Sequence, residues 1–266
     1  FSFKKESIDE KAMFGVQKAV EHLSYYDSAF KEKDLLKEVL LFTREHVGID
    51  KITESLEKLK KEGLVIDSNS HEGMLTTKEA ILEEKRILAI EKNGRNTVPA
   101  ISNFENINEL IKANTFTNGQ ETGFRHLLLN TDRFTAIQGY AGVGKTYMLG
   151  PFVELAKKEG YDIKAVAPMG KAAVGLGESL GVQANTLKSL LMDFEKDQKL
   201  NPKKDFEKGN VKELYIIDES STINTPDMLA FTSAVEARGG RAIFAGDNYQ
   251  QGAVERGNTS KLLENR

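Results

Sequence analysis

The stretch that most constrains this chain is Gly139-Tyr140-Ala141-Gly142-Val143-Gly144-Lys145-Thr146. It fits G-x-x-x-x-G-K-[ST], a pattern whose glycines let the backbone turn its N–H groups inward around a row of phosphates. The flanks agree with it. Residues 133–138 (R-F-T-A-I-Q) read as a short strand entering the loop. Residues 145–158 read as a helix leaving it, with Met148, Phe152, Val153, Leu155 and Ala156 on an apolar side. A strand, a glycine-rich turn and a helix N-terminus together favour negative charge at one point. On this reading Gly139, Gly142, Val143, Gly144, Lys145, Thr146 and Tyr147 bind nucleotide. Lys145 reaches the β- and γ-phosphates and the Thr146 hydroxyl ligates Mg²⁺.

The order of elements around the loop predicts a doubly wound parallel sheet. Apolar strands at 162–168, 214–217 and 241–245 alternate with helices at 145–158, from 169, and at 225–238. Asn185-Thr186 are expected to cap a short segment over 187–194, and 196–209 to form a charged loop. The strand at 214–217 ends in Asp218-Glu219, where one carboxylate can hold Mg²⁺ and its neighbour can orient and deprotonate a water. Asp218 is assigned to the metal and Glu219 to the base. The next strand ends in Gly246-Asp247-Asn248-Tyr249-Gln250. The neutral amide of Gln250 can bond a γ-phosphate or the attacking water without adding charge.

Ahead of this α/β part, residues 1–98 read as a small, mainly helical, winged-helix-like domain. Helices are expected over 8–23 and 33–46, and a third is expected to be capped by Asp50 and ended by Gly63. A hairpin follows over 64–66 and 74–76. Thr76 with Glu79 is read as the capping box of a helix running to Asn93. The third helix mixes Glu54, Glu57 and Glu62 with Lys51, Lys58, Lys60 and Lys61. That charge mixture argues for a structural cap or protein-contact module over a reader of the DNA major groove. The turn-rich stretch 94–103 is taken as the domain boundary, giving domains 1–98 and 99–266. A connecting helix over 104–113 and a helix over 119–129, capped at Thr117-Asn118, lead into the strand before the phosphate loop.

The chain has 266 residues, no cysteine and a net charge of −3. Disulfides and Cys-ligated zinc are therefore absent. Any nucleic-acid contact must come from a local basic surface. His22, His46, His71 and His126 have no metal-ligand spacing, and no apolar run is long enough to cross a bilayer. The chain starts at Phe1 and stops at Arg266 without a domain-closing feature, so it is expected to be a piece of a longer protein.

The motifs G-Y-A-G-V-G-K-T, A-P-M-G-K-A-A, T-L-K-S-L-L, D-E-S-S and G-D-N-Y-Q, in this order, resemble the first motor domain of RecD-like superfamily 1 helicases. Within that branch the chain is most similar to the helicase region of conjugative relaxase–helicases of the TraI type. The N-terminal phrases A-V-E-H-L-S and L-T-T-K-E-A-I-L-E-E-K-R-I-L share this likeness. The resemblance implies a RecA-like P-loop fold, ATP and Mg²⁺ as cofactors, and 5′-to-3′ movement on single-stranded DNA in plasmid transfer. It assigns Gln120 to the adenine edge, and Lys145, Thr146, Asp218, Glu219 and Gln250 to the roles above. It assigns Pro168, Met169, Gly170, Lys171, Thr186 and Lys188 to the DNA strand. Thr is usual where Met169 stands, and Gln251-Gly252 replaces the usual residues after Gln250.

The implied partners are single-stranded DNA and the rest of the same polypeptide: a second motor domain supplying arginines, and a relaxase domain. Conjugation coupling or secretion proteins are further implied partners. The expected location is the cytoplasm, without membrane insertion, and the isolated chain is expected to hydrolyse almost no ATP. Two other readings are a non-catalytic module for single-strand binding or secretion recruitment, and a stand-alone RecD-like repair helicase. A degenerate copy should lack Lys145, Asp218 or Glu219, and all are present.

Overall fold

The computed structural model describes residues 7–44, 47–68, 73–139, 142–200 and 212–246. Contacts divide the chain into two units; among the described residues the first runs to Lys85 and also takes in Asn224–Pro226, and the second holds the rest from Arg86.

The first unit is winged-helix-like. Helix α1 (Ile8–Tyr26) opens on a capping box: Glu10 N–H donates to Ser7 Oγ at 3.2 Å and Ser7 N–H to the Glu10 carboxylate at 2.8 Å. A three-residue strand β1 (Ala29–Lys31), α2 (Glu32–Thr43) and α3 (Ile49–Lys61) follow. Strands β2 (Val65–Asp67) and β3 (Met74–Thr77) complete an antiparallel sheet in the order β1-β3-β2. Val16, Leu35, Val39, Ile52, Leu56 and Leu75 meet in one apolar core, each contributing about 1.5–3 kcal/mol by leaving water. The N-cap of α3 is Gly48, so Asp50 falls inside the first turn and not at the cap.

Helix α4 (Lys78–Asn93) starts one residue later than expected. Ala80 N–H donates to Thr77 Oγ1 at 3.0 Å, whereas Thr76 Oγ1 donates to the Ser28 carbonyl at 2.6 Å. Thr76 is committed to strand β1's approach and its neighbour does the capping. The division of contacts falls within α4, ahead of the turn-rich stretch 94–103. The reason is packing: Ile87 and Ile90 join a core of the second unit.

The second unit is a RecA-like, doubly wound α/β sheet. Helices α5 (Phe104–Ala113) and α6 (Asn118–Leu129) precede β4 (Phe134–Gln138). Then come α7 (Lys145–Lys158), β5 (Asp162–Ala167), α8 (Gly170–Leu180), β6 (Gln183–Thr186) and α9 (Leu187–Leu200). Strand β7 (Glu213–Ile217), a 3₁₀ turn (Ser220–Thr222), α10 (Thr225–Arg238) and β8 (Arg241–Gly246) complete the described part. The five strands are parallel, in the order β4-β8-β7-β5-β6.

Side chains alternate across a strand, so a strand buried on both faces must be apolar throughout. Leu214 and Ile216 of β7, with Ile243 and Ala245 of β8, face one core beside Phe124 and Phe152. Tyr215, Ile217, Ala242 and Phe244 face the other beside Phe231 and Ile87. Two expectations are corrected here. Residues 183–186 form a strand, paired with β5 as Ala167↔Thr186. Helix α9 continues to Leu200, so 196–200 is helical and not loop: Asp197 is drawn to Arg238 at 2.6 Å.

Candidate functional site

The sheet order brings the two halves of the site together. Strand β8 lies between β4, which feeds the glycine-rich loop, and β7, which carries the acidic pair. Gly139 N–H bonds to the carbonyl of Gly246 at 3.4 Å, so the start of the loop is tied to the end of β8.

Gly142 and Gly144 have φ of 79° and 82°, a region that side chains rarely enter. Gly144 ends the loop as N-cap of α7 and makes no side-chain cap bond, so the loop leads straight into a helix start, which favours negative charge. Lys145 donates to the Gly139 carbonyl, folding its amine across the loop. Thr146 and Tyr147 are exposed at the start of the helix. Tyr147 lies edge-on to Phe116, with ring centroids 5.9 Å apart, and Phe116 rests on Phe124 at 5.1 Å. A cleft of about 340 Å³ adjoins the loop, lined by Gln120, His126, Gln138, Val143, Lys145 and Met148 among others. Tyr140, Ala141 and Gln250 lie outside the described residues.

The acidic pair is held in a tight turn. Glu219 adopts φ 52° and ψ 33°, left-handed for a residue with a Cβ. Such a conformation costs about 1–2 kcal/mol and needs outside support. That support is present: the Asp218 carboxylate accepts from Glu219 N–H at 3.0 Å. Thr222 donates its N–H and its hydroxyl to the Glu219 carbonyl, each at 2.9 Å. Buried Ser220 donates its hydroxyl to the Ala245 carbonyl at 3.3 Å, joining this turn to the end of β8. Sequence reading missed Ser220, Thr222 and Phe116. A serine after an acidic pair carries no signal until the neighbouring strand is known.

The DNA-assigned residues fall at the carboxyl ends of two adjacent strands. Pro168, Met169, Gly170 and Lys171 follow β5 into α8, and Thr186 and Lys188 follow β6 into α9. Met169 is 69% exposed and Lys171 is exposed. Thr186 Oγ1 accepts from Ser189 N–H at 3.1 Å, capping α9 as expected. Lys188 is paired with Asp227 at 2.8 Å.

A separate polar cluster stands at the opposite end of β7. Arg238 grips Glu213 with two bonds of 2.8 and 2.6 Å and Asp197 with one of 2.6 Å, and lies over the Phe194 ring. Tyr215 donates to Glu213 at 2.7 Å. Burial pushes the Glu213 carboxyl up, but the bonds from Arg238 and Tyr215 outweigh it and hold it below its usual range. Burial, with Glu213 beside it, drives the Tyr215 phenol far upward.

These features define a P-loop nucleoside triphosphatase fold, and residues 115–266 match the AAA domain family, to which the chain belongs. Over its full length the chain is 31% identical to the Multifunctional conjugation protein TraI of Escherichia coli, of which it spans 15%. Over 55% of its length it is 26% identical to the Probable conjugal transfer protein TraA of Sinorhizobium fredii, spanning 12% of that protein. A Conjugal transfer protein TraA of Rhizobium radiobacter is 28% identical over 50% of the chain, which spans 12% of it. The resemblance drawn from the motifs, to the helicase region of conjugative relaxase–helicases, agrees with these likenesses. Among the described residues no helix is long and apolar enough to cross a membrane.

Proposed function

We propose that this chain is the ATP-binding first motor domain of a helicase that moves 5′-to-3′ on single-stranded DNA. It works in the cytoplasm as part of a longer conjugation protein. One observation carries the reading: the lysine-bearing loop after β4 and the carboxylates after β7 flank the end of β8. The donor set suits a magnesium–triphosphate. Left-handed glycines, a helix start without a side-chain cap, an amine, a hydroxyl and a carboxylate are what that ligand requires.

Lys145 contacts the β- and γ-phosphates. Thr146 and Asp218 would hold Mg²⁺, which neutralises phosphate charge when bound. Glu219, fixed by the Asp218 and Thr222 bonds, orients the attacking water and accepts its proton. Gln250 follows the γ-phosphate. Tyr147, backed by Phe116, offers an aromatic face near the nucleotide.

The segments around Pro168–Lys171 and Thr186–Lys188 grip the DNA backbone without reading bases. Their contacts are N–H groups at the start of α8, a hydroxyl, and lysines. Asp227 is a competitor for Lys188 that a DNA phosphate must displace. The rest of the polypeptide supplies a second motor domain, whose arginines are worth about 10³-fold or more in related phosphoryl transfers. A relaxase domain and secretion or coupling proteins are the remaining partners.

The test is DNA-stimulated ATP hydrolysis. In the longer protein, Lys145→Ala and Glu219→Gln abolish it; this chain alone shows almost none. Hydrolysis unchanged by Glu219→Gln, or brisk turnover by the isolated chain, contradicts the reading.

A further inference from the structure

Two helices of the second unit start at different functional points. Helix α9 starts in the DNA-assigned segment, with Lys188 in its first turn. Helix α10 starts just after the 3₁₀ turn that follows Glu219, with Asp227 in its first turn. Lys188 Nζ donates to Asp227 Oδ1 at 2.8 Å, across 39 positions of sequence. The lysine side chain is 60% exposed and the aspartate 15%. A phosphate can therefore reach the lysine from solvent. The aspartate stays with its own helix, whose N-terminal end favours its charge. Lys188 has two alternative partners, Asp227 and the DNA backbone. It also stands beside the rest of the DNA-assigned set. A Cβ at Gly170 would meet Thr186 at 3.8 Å, so the segments after β5 and β6 form one surface.

A groove of about 640 Å³ runs between α9 and α10, with Met192 on one side and Ala230, Ser233, Ala234 and Ala237 on the other. Ion pairs close it at both ends: Lys188 with Asp227, and Arg238 with Asp197. The first of these is the tie nearer Glu219 in the chain. The connection from Glu219 to Asp227 is short and held at several points. Ser220 is bonded to Ala245, Ile223 N–H donates to the Ser220 carbonyl at 3.2 Å, Ile223 packs on the core that holds Met228, and Thr225 is buried. A shift at the first turn of α10 is passed to the Glu219 turn with little slack to absorb it. Left-handed Glu219 is itself costly and depends on the bonds from Thr222 to its carbonyl.

We infer that Asp227 is a positioning residue through which single-stranded DNA acts on Glu219. Without DNA, the pair with Lys188 holds the start of α10 and keeps the Thr222–Glu219 bonds closed. When a DNA phosphate takes Lys188, the first turn of α10 is released and the Glu219 turn opens more often. The carboxylate is then free to meet the attacking water. The inference rests on the motor reading above and names the link between its two sites. Its test needs DNA but no nucleotide, so a failed nucleotide site and a failed link give different results.

The experiment is amide hydrogen exchange on this chain, free and saturated with oligothymidylate, for the parent, Asp227→Asn and Lys188→Arg. In the parent, DNA speeds exchange of residues 219–223 about fivefold, the lower end of typical coupling between sites. Asp227→Asn exchanges at the fast rate in both states, and DNA adds nothing. Lys188→Arg keeps the charge and the pair, and responds to DNA as the parent does. If Asp227→Asn fails to fold, Lys188→Met breaks the pair from the other side and gives the same fast exchange without DNA. Bound DNA that leaves the parent's exchange unchanged overturns the inference. So does an Asp227→Asn chain that still responds to DNA like the parent, because the aspartate then has only a structural role. Absence of oligothymidylate binding by the parent overturns the single-strand reading itself.

Discussion

Arg238→Ala should destabilise the α/β unit while leaving the nucleotide site intact. The Arg238 and Glu213 side chains are 14% and 16% exposed, and Asp197 is 30% exposed. Removing one partner of a buried pair typically costs about 3–5 kcal/mol, since the other charge stays buried. Tyr215 still donates to Glu213, and Asp197 can turn to solvent. The expected loss is therefore near the lower end, about 3 kcal/mol. For a unit of this size that corresponds to a fall of about 6–12 °C in Tm. Urea unfolding followed by circular dichroism measures it.

The reasoning makes a second demand on the same cluster. Glu213→Gln with Arg238→Met removes both charges, so the double variant should be more stable than Arg238→Ala. A loss under about 1 kcal/mol for Arg238→Ala, or a double variant no better than the single one, refutes it. Nucleotide affinity should be unchanged throughout, because Glu213 begins β7 and Asp218 follows its far end.

Acid should weaken the same cluster. The Glu213 carboxyl is held below its usual range, so the unfolded chain binds this proton more readily. Its contribution is complete above about pH 4.3 and is lost as pH falls through the lowered folded value. Glu213→Gln should flatten that part of the stability–pH curve. Ser220→Ala removes the donor to Ala245 and should cost about 1 kcal/mol in urea unfolding. In the longer protein it should lower hydrolysis more than ATP binding, since it loosens the Glu219 turn. Asp227→Asn removes the carboxylate charge beside Lys188 and should tighten single-strand binding and steepen its salt dependence, as read by fluorescence anisotropy. An unchanged salt slope would remove Lys188 from the DNA path.

The α/β unit was legible because its signals are local. Strands β7 and β8 read as unbroken apolar runs, which fits burial on both faces, and the loop between β4 and α7 announced itself in eight residues. The missed elements lack such signals. β1 has three residues, too few to show a period. β6 (Q-A-N-T) is mostly polar and half-exposed, and its backbone pairing to β5 leaves no mark in composition. The last turn of α9 looks like a charged loop until Arg238 is known to reach Asp197 from another helix. The cap of α4 slipped by one residue because either Thr76 or Thr77 could serve. Tertiary structure decides, by giving Thr76 to Ser28. Gln120 is a different case. Thr117 was legible as a cap of α6, but the bond from Gln120 to Val143 spans 23 positions and appears only once α6 lies beside the loop.

The most direct test of the central claim is ADP titration into this chain, with and without Mg²⁺, alongside Lys145→Ala. The account predicts Mg²⁺-dependent binding that Lys145→Ala abolishes. Binding that ignores both Mg²⁺ and Lys145, or none at all, would contradict it.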